Sequence, residues 1–93
     1  MLFCLIGTDK PDALAVRLAN REAHVKYWQE SGRIGAGGPF TSDDGATMNG
    51  SLLVIEAKDR AEVERLVADD PYTKAGLFAK VEIRAWKWVL NPR

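Results

Sequence analysis

The strongest evidence for the fold of this chain lies in residues 50–57, which read GSLLVIEA. Four consecutive apolar residues, two of them β-branched, predict a buried strand. Asp59, just downstream, is a typical helix N-cap, and the apolar residues that follow it predict a helix over residues 60–69. We expect this helix to end at Asp70, because the residue before a proline is disfavoured in the helical conformation.

The first third of the chain predicts a strand followed by a long helix. Residues 2–7 read LFCLIG, an apolar run that ends in the turn residues TDKPD. We expect the helix to occupy residues 12–31, with Thr8 or Asp9 as its cap. Gly32 is a suitable residue to end it, since glycine readily adopts the left-handed conformation found after helices.

Two stripes of side chains run along this predicted helix. The spacing of the apolar residues predicts that they form the buried face, which comprises Leu14, Leu18, Val25 and Trp28. Arg17, Arg21 and His24 lie on a neighbouring stripe. We therefore expect an apolar face against the core, with three polar side chains beside it.

The remaining segments complete the order of elements. Residues 34–40 have strand character although they are rich in glycine, and residues 41–49 are typical of a polar hairpin loop. After an irregular segment over residues 72–78, the alternation of residues 80–90 predicts a last strand. The order β-α-β-β-α-β indicates an α+β chain with the ferredoxin-like, or split βαβ, fold. We expect a four-stranded antiparallel sheet with two helices on one face.

The uncovered face of this sheet predicts self-association. Trp86 and Trp88 are expected to point away from the helices, together with a large residue of the first strand such as Phe3 or Leu5. An exposed apolar sheet face of this kind normally marks an interface. A homodimer that pairs the two sheet faces by twofold symmetry would cover them and enlarge the core of a small chain.

The composition limits the classes of function. Ninety-three residues predict one domain over residues 1–93, and the 13 basic residues balance the 13 acidic ones. No net field therefore favours nucleic acid or an anionic membrane. Cys4 cannot form an internal disulfide, and residues 2–7 are too short for a secretory or membrane segment, so we expect a cytoplasmic protein. One histidine and one cysteine leave few metal ligands, and neither a metal nor another cofactor is expected.

The single histidine, His24, is the main candidate for chemistry. The unperturbed pKa of a histidine lies near neutrality, and a neighbouring carboxylate can fix its tautomer. In a split βαβ fold the middle of the first helix can approach the end of the second, where Asp70 lies. We therefore hypothesise a catalytic pair of His24 and Asp70. The alternative is that His24 is an ordinary helix residue and that Asp70 only caps the turn before Pro71.

Three further features are candidates for a substrate pocket. The motif Gly37-Gly38-Pro39 can bring backbone N–H groups close to a ligand, or it can merely bend its strand. Ser51 lacks the strand-to-helix elbow of a serine nucleophile, so we expect it to hydrogen-bond to a ligand or to the pair, or to have no role. Arg21 lies one turn before His24 and can bind a carboxylate or phenolate, or remain a solvated charge.

These motifs, in this order along the chain, resemble those of the YciI-like (YCII-related) family. The residues that carry the resemblance are Arg21-x-x-His24, Gly37-Gly38-Pro39, GSLLV at 50–54, DDPY at 69–72 and VEIRAW at 81–86. The resemblance implies a ferredoxin-like fold of the dimeric α/β-barrel type. It also implies that His24 and Asp70 are the histidine and aspartate proposed as the active site of the family.

The resemblance also suggests a type of reaction, and the chain departs from the family pattern at two positions. One branch of the family is a dehydrochlorinase that acts on a chlorinated hydroxyquinol, and most members have no assigned reaction. Tyr72 stands where phenylalanine is common, and it adds a hydroxyl group to the predicted pocket. Ala85 stands where proline often precedes the tryptophan. These departures affect the expected substrate preference more than the expected fold.

Our leading hypothesis is a small enzyme without a cofactor, in which His24 moves a proton on a small, cyclic, hydroxylated substrate. The reaction would be an elimination or an isomerisation. The first alternative is a non-catalytic or accessory protein that binds a small metabolite in the same cleft. The second alternative is a module whose open sheet face binds a different protein.

Overall fold

The computed structural model describes residues 1–90, which form four strands and three helices. In chain order these are β1 (Leu2–Asp9), α1 (Leu14–Ser31), β2 (Ile34–Thr41), β3 (Met48–Glu56), α2 (Arg60–Ala68), α3 (Pro71–Lys74) and β4 (Phe78–Trp86). The predicted domain extends to residue 93, and residues 91–93 lie outside this description. Among the helices of residues 1–90, none combines the length and apolar character needed to cross a bilayer.

The four strands form one antiparallel sheet in the order β2-β3-β1-β4. Strand β1 lies in the interior, where Leu5 stands opposite Leu53 of β3 on one side and Ile83 of β4 on the other. The chain follows the order β-α-β-β-α-β, with the short helix α3 inserted before the last strand. The predicted ferredoxin-like fold is therefore confirmed.

The apolar core lies between one face of the sheet and the helices. Its buried side chains come from β1, α1, β3, the residue that follows β3, and α2, and they are Phe3, Leu5, Trp28, Leu53, Ile55, Ala57, Val63 and Val67. Because side chains alternate across a strand, residues with odd numbers in β1 and β3 point to this core. Both long helices thus cover the same face of the sheet, as predicted.

The start of α1 differs from the prediction. The helix begins at Leu14 rather than at residue 12, because Asp12 has the left-handed φ of 57°. Its N-cap residue is Ala13, which has no side-chain capping bond. The prediction that Thr8 or Asp9 caps this helix is wrong, since the Asp9 carboxylate binds Arg17 instead. The helix ends at Ser31, and Gly32 follows with a left-handed φ of 68°, as predicted.

The buried face of α1 also differs from the prediction. Its buried residues are Arg17, His24 and Trp28. Three of the four residues assigned to the buried face are exposed, namely Leu14, Leu18 and Val25. The helix is therefore rotated from the expected orientation, so that the stripe of polar residues faces the protein.

Helix α2 follows the prediction closely. Asp59 has an extended conformation, and its side chain accepts a hydrogen bond from the backbone N–H of Glu62. The residues that the helix buries are Val63 and Val67. The chain then forms the helical turn α3, in which Asp70 is the N-cap and Pro71 occupies the first turn. This turn overlaps the start of residues 72–78, the segment for which the sequence predicts an irregular structure or a single helical turn.

The last strand and the open face of the sheet need two corrections. Strand β4 spans Phe78–Trp86 rather than residues 80–90, so Trp88 lies outside it and packs edge-on against Trp86. Trp86 stands opposite Leu2 and shares the open face with the even-numbered residues of β1. Phe3 and Leu5 point to the helices, and the prediction that either lies on the open face is wrong.

Candidate active site

His24 and Asp70 are in direct contact in the folded chain. The Nδ1 atom of His24 lies 2.8 Å from Oδ1 of Asp70, although the residues are far apart in sequence. Asp70 is fully buried and His24 is 8% exposed. Since a carboxylate only accepts, the imidazole carries its proton on Nδ1, which leaves the lone pair of Nε2 free. Nε2 has no hydrogen-bond partner within residues 1–90.

Asp70 is held by two further donors. Its Oδ2 atom accepts a hydrogen bond of 2.9 Å from Nε1 of Trp28, and its Oδ1 atom accepts one of 2.9 Å from the backbone N–H of Tyr72. The second bond is the N-cap of α3. The carboxylate therefore both begins this helical turn and orients the imidazole. The capping role that the sequence predicts for Asp70 is therefore present together with the contact to His24.

Tyr72 packs flat against His24. The two ring centroids are 3.8 Å apart, and the ring planes differ by 14°. Tyr72 is almost fully buried, and this burial raises the pKa of its phenol, while the nearby charge of Arg17 opposes the increase. The phenol therefore stays neutral near pH 7, and the ring fixes one face of the imidazole.

A buried ion pair between Arg17 and Asp9 lies next to the pair of His24 and Asp70. Nε and Nη2 of Arg17 donate to the two carboxylate oxygens of Asp9 at 2.7 and 2.9 Å. Nη2 also donates to Oγ of Ser51 at 2.9 Å, and the guanidinium carbon lies 4.8 Å from the centre of the Tyr72 ring. Burial opposes the charge on Arg17, but the bonds to Asp9 outweigh this and raise the pKa of the guanidinium.

These groups line one cleft with a volume of about 300 Å³. Of the residues predicted for the site, all but one border this cleft, namely Arg21, His24, Gly37, Gly38, Pro39, Ser51 and Tyr72. The exception is Asp70, which lies behind His24 and contacts its imidazole. Arg17, Met48 and Leu53 also border the cleft, although the sequence did not indicate them as residues of the site. The cleft is of the size that holds a small organic molecule.

The glycines of β2 have unequal roles. A Cβ atom at Gly37 would come within 2.7 Å of the Leu53 side chain, whereas one at Gly38 would meet no atom within 4 Å. The two irregularities in the pairing of β2 with β3 fall between Ile34 and Ala36 and between Phe40 and Thr41, on either side of the motif. Gly37-Gly38-Pro39 is thus regular strand that borders the cleft, and only Gly37 is needed for close packing.

Ser51 and His24 do not form a nucleophilic pair. The Ser51 hydroxyl bonds to Arg17, and within residues 1–90 it has no hydrogen bond to the imidazole. The same range contains no group of three His, Cys, Asp or Glu side chains placed to hold a metal ion. What the arrangement offers is one oriented imidazole, a serine hydroxyl and two arginines around a small cleft.

The sequence matches the model of the YCII-related domain over residues 1–87. The chain belongs to the YCII-related family. It is 31% identical to Protein YciI of Escherichia coli, covering 96% of this chain and 99% of the relative. An uncharacterized protein of Haemophilus influenzae is 30% identical over the same shares of the two chains. The predicted membership of the YciI-like family is therefore confirmed.

The fold of this chain is similar to that of two solved structures. The structure of a 5-chloro-2-hydroxyhydroquinone dehydrochlorinase (TftG) from Burkholderia phenoliruptrix AC1100, in complex with 2,5-dihydroxybenzoquinone, is 41% identical. It covers 94% of each chain with a TM-score of 0.84. An antibiotic biosynthesis monooxygenase is 16% identical with a TM-score of 0.60, covering 97% of this chain and all of its own. The second similarity concerns the fold alone.

Proposed function

We propose that this protein is a small acid–base enzyme in which His24 transfers a proton on a small, cyclic, hydroxylated substrate. The observation that carries the proposal is the 2.8 Å contact between Nδ1 of His24 and the fully buried carboxylate of Asp70. This contact orients Nε2, the basic atom, while His24 borders a cleft of about 300 Å³. Proton transfer requires a base that is positioned next to the bound substrate, and His24 meets this requirement.

The proposed chemistry begins with Nε2 of His24 as a general base. It accepts a proton from a hydroxyl or C–H group of the substrate, and the resulting imidazolium is stabilised by the Asp70 carboxylate. The bonds from Trp28 and from the Tyr72 backbone keep this carboxylate in place. The imidazolium then returns the proton to another atom in an isomerisation, or releases it after a leaving group departs in an elimination.

The similarity to TftG supports the substrate class. A protein that is 41% identical over 94% of both chains acts on 5-chloro-2-hydroxyhydroquinone, a six-membered ring with hydroxyl groups. We extend to the present chain only the class of small, hydroxylated ring compounds. In this proposal Arg21, the backbone of Gly37–Pro39 and the Tyr72 hydroxyl are contacts for the ring and its oxygens.

The test compares turnover by the unmodified protein and by two variants. Chlorinated hydroxyhydroquinones, simple phenols and lactones would be screened, with His24→Gln and Asp70→Asn as the variants. We expect His24→Gln to lower the rate about 10²- to 10⁴-fold, the usual contribution of one general base. Asp69→Asn is the matched control, because Asp69 is the exposed neighbour of Asp70. Equal turnover in all four proteins would overturn the proposal.

The same variants separate an enzyme from a binding protein. A protein that only holds a metabolite would bind its ligand without turnover, and His24→Gln would retain the affinity because glutamine still donates a hydrogen bond. An enzyme would lose rate in the same variant. The first of these outcomes would replace the proposed enzyme with the alternative of a small-molecule binding protein.

We further propose that two copies of the chain pair through the open face of the sheet. This face carries the partly buried residues Leu2, Cys4 and Ile6, and the large exposed side chains Phe40 and Trp86. In residues 1–90 both long helices pack on the other face. A twofold pair would remove these apolar side chains from water.

Sedimentation velocity tests the homodimer. We expect the unmodified protein to sediment as a dimer and Ile6→Arg to shift it to a monomer, since a charge would be buried at the centre of the face. Glu64→Arg, an exposed change on α2, is the control and should leave the dimer intact. A monomer at micromolar concentration would instead favour a different protein as the partner of this face.

A further inference from the structure

The cleft beside His24 is larger than a six-membered ring requires. Its volume is about 300 Å³, whereas a closed apolar cavity of about 150 Å³ is enough to hold benzene. A ring with a few hydroxyl groups would therefore leave a substantial part of the cleft unfilled. Because unfilled space beside a ligand forfeits van der Waals contacts, the residues around that space indicate what else the ligand carries.

The cleft has two ends, one on each side of His24. Arg17 bonds to Ser51 at the first end. Trp28, about three turns further along α1, belongs to the same core cluster as Leu53 at the second end. Leu53 lies two residues beyond Ser51 on β3, which is about 7 Å along the strand. A ring bound next to His24 therefore has space towards Leu53.

The second end of the cleft is bordered mainly by carbon. Its walls are four apolar side chains, namely Val25, Trp28, Ile34 and Leu53. The polar atom of the indole, Nε1 of Trp28, is bonded to Asp70 and is not available to a ligand. Gln29 also borders the cleft, and its side chain lies at the exposed rim. We refer to the four apolar residues as the apolar end of the cleft.

Two side chains of the apolar end remain partly in contact with solvent. Val25 is 41% exposed and Ile34 is 36% exposed, although both border the cleft. Val25 directly follows His24 in α1, so its side chain points about 100° away from the imidazole around the helix axis. It therefore lies at the mouth of the cleft while His24 faces the protein. An apolar group bound here would remove both side chains from water, which is favourable.

We propose that the apolar end is a subsite for a short alkyl substituent of the ligand. The ligand class is then narrower than a hydroxylated ring. It is a hydroxylated ring that also carries a nonpolar substituent on the side that faces Leu53. This inference rests on the proposed function for the position of the ring next to His24, but it is measured by binding rather than by turnover.

Three catechols serve as probes, because they share one hydroxylated ring. Catechol has no further substituent, 4-ethylcatechol carries an ethyl group, and 3,4-dihydroxybenzyl alcohol carries a hydroxymethyl group of nearly the same size. All three are uncharged at pH 7, so the arginines do not distinguish them by charge. Calorimetry at pH 7 would give the dissociation constants. The ratio of the constants for catechol and 4-ethylcatechol is the alkyl preference.

We expect the unmodified protein to prefer the alkylated probe. Binding of 4-ethylcatechol should be about 10-fold tighter than that of catechol, because each buried methylene contributes about a factor of four. The hydroxymethyl probe should gain no more than about twofold, because its hydroxyl group would be buried without a partner. A gain of the same size for both substituents would mean that the cleft selects for size and not for apolar character, and it would overturn the proposal.

Two variants place a polar group in the apolar end. Val25→Asn exchanges residues of similar helix propensity, and Ile34→Thr keeps a β-branched residue in β2. We expect each variant to lower the alkyl preference below about threefold, because its polar group loses water when the ethyl group binds. A purely structural effect would weaken both probes alike and leave the preference unchanged. Circular dichroism would establish that each variant is folded before binding is measured.

Matched controls carry the same substitutions outside the cleft. Leu18→Asn changes an exposed residue of α1, and Val81→Thr changes an exposed residue of β4. Neither residue borders the cleft, so both controls should keep the alkyl preference of the unmodified protein.

The outcomes separate this inference from the proposed function. If the unmodified protein has no alkyl preference, or if the preference survives in both Val25→Asn and Ile34→Thr, the subsite is overturned while the role of His24 stands. If either variant loses the preference but His24→Gln turns over substrate as fast as the unmodified protein, the subsite survives and the proposed catalysis does not. If no probe binds, the subsite is overturned, and turnover alone decides the proposed function.

Discussion

The two long helices of this protein cover the same sheet face by different means. Helix α2 buries Val63 and Val67, as expected for an amphipathic helix. Helix α1 buries Arg17, His24 and Trp28 and leaves Leu18 exposed. Apolar periodicity therefore located the buried face of one helix and misplaced that of the other.

The difference between the helices follows from what each one packs against. The residues that α2 buries belong to the apolar core, so burial of valine is favourable there. Beneath α1 lie Asp9, Ser51 and Asp70, which supply hydrogen-bond partners to Arg17 and His24. A buried polar stripe is tolerated when each of its members is paired. The unusual helix is thus the one that builds the cleft.

Arg17→Met is expected to have the largest effect on stability, and it tests the contrast between the two helices. This change removes one member of a buried ion pair and leaves the Asp9 carboxylate without its partner. We expect a loss of about 3–5 kcal/mol in the free energy of unfolding, measured with urea at a fixed protein concentration. The corresponding change on the exposed residue of the same stripe, Arg21→Met, should cost less than about 1 kcal/mol.

A double variant distinguishes the buried charge from lost packing. Asp9→Asn combined with Arg17→Met removes both charges, and we expect it to recover part of the loss caused by Arg17→Met alone. If the double variant is less stable than the single variant, the charge of Asp9 is not the source of the cost, and the contrast between the two helices loses its electrostatic explanation.

The second test concerns the apolar face of α2. Val63 is fully buried, and Val63→Ala should lower the free energy of unfolding by about 2 kcal/mol through lost transfer energy and a cavity. Turnover of a substrate of the proposed enzyme should be unchanged, because Val63 does not border the cleft. Lower turnover by a fully folded Val63→Ala protein would show that the core and the cleft are coupled.

A smaller effect is expected from the first turn of α2, and it depends on pH. A hydrogen bond from Arg33 and another from the backbone of Lys58 lower the pKa of Glu62 from 4.5 to about 2. A carboxyl whose pKa is lower in the folded state stabilises the protein above its unfolded pKa. This contribution is therefore full above about pH 5 and disappears as the pH falls towards 2.

Urea unfolding at several pH values measures this contribution. The unmodified protein should be more stable than Glu62→Gln at pH 7, and the difference should vanish near pH 2. Glu64→Gln, on an exposed position of the same helix, should show no such dependence. A constant difference between the unmodified protein and Glu62→Gln at all pH values would mean that packing, not charge, is lost.

The smallest effect is expected on the outer face of α1. Leu18 is 53% exposed, so Leu18→Gln should change the free energy of unfolding by no more than about 0.5 kcal/mol. The measurement is again urea unfolding at a fixed concentration. A loss above 1 kcal/mol would mean that this stripe is covered in solution by another copy of the chain.

The sequence predicted the fold well where local rules dominate. The order of elements, the end of α1 at Gly32 and the Asp59 cap of α2 depend on nearby residues only. The last strand was misplaced because the alternation of residues 80–90 continues beyond Trp86, whereas pairing with β1 ends at Leu2. The length of a strand depends on its partner strand, and the local sequence pattern carries no information about that partner.

Only some residues of the site were predicted, because the local pattern does not show which polar side chains the fold buries. His24 and Asp70 stand out as a lone histidine and a carboxylate before proline, and the fold brings them together. Arg17 was overlooked because an arginine on a helix is normally solvated. A signal was present, since Arg17, Arg21, His24 and Trp28 form one continuous stripe at spacings of three and four.

The bond between Trp28 and Asp70 gives the protein an internal optical reporter. Trp28 is 3% exposed and donates to the carboxylate that holds the imidazole, whereas Trp86 lies at the surface. The emission of a buried indole differs in wavelength from that of a solvated one. With Trp86 and Trp88 replaced by phenylalanine, the fluorescence of the remaining indole would follow events around His24 without any added label.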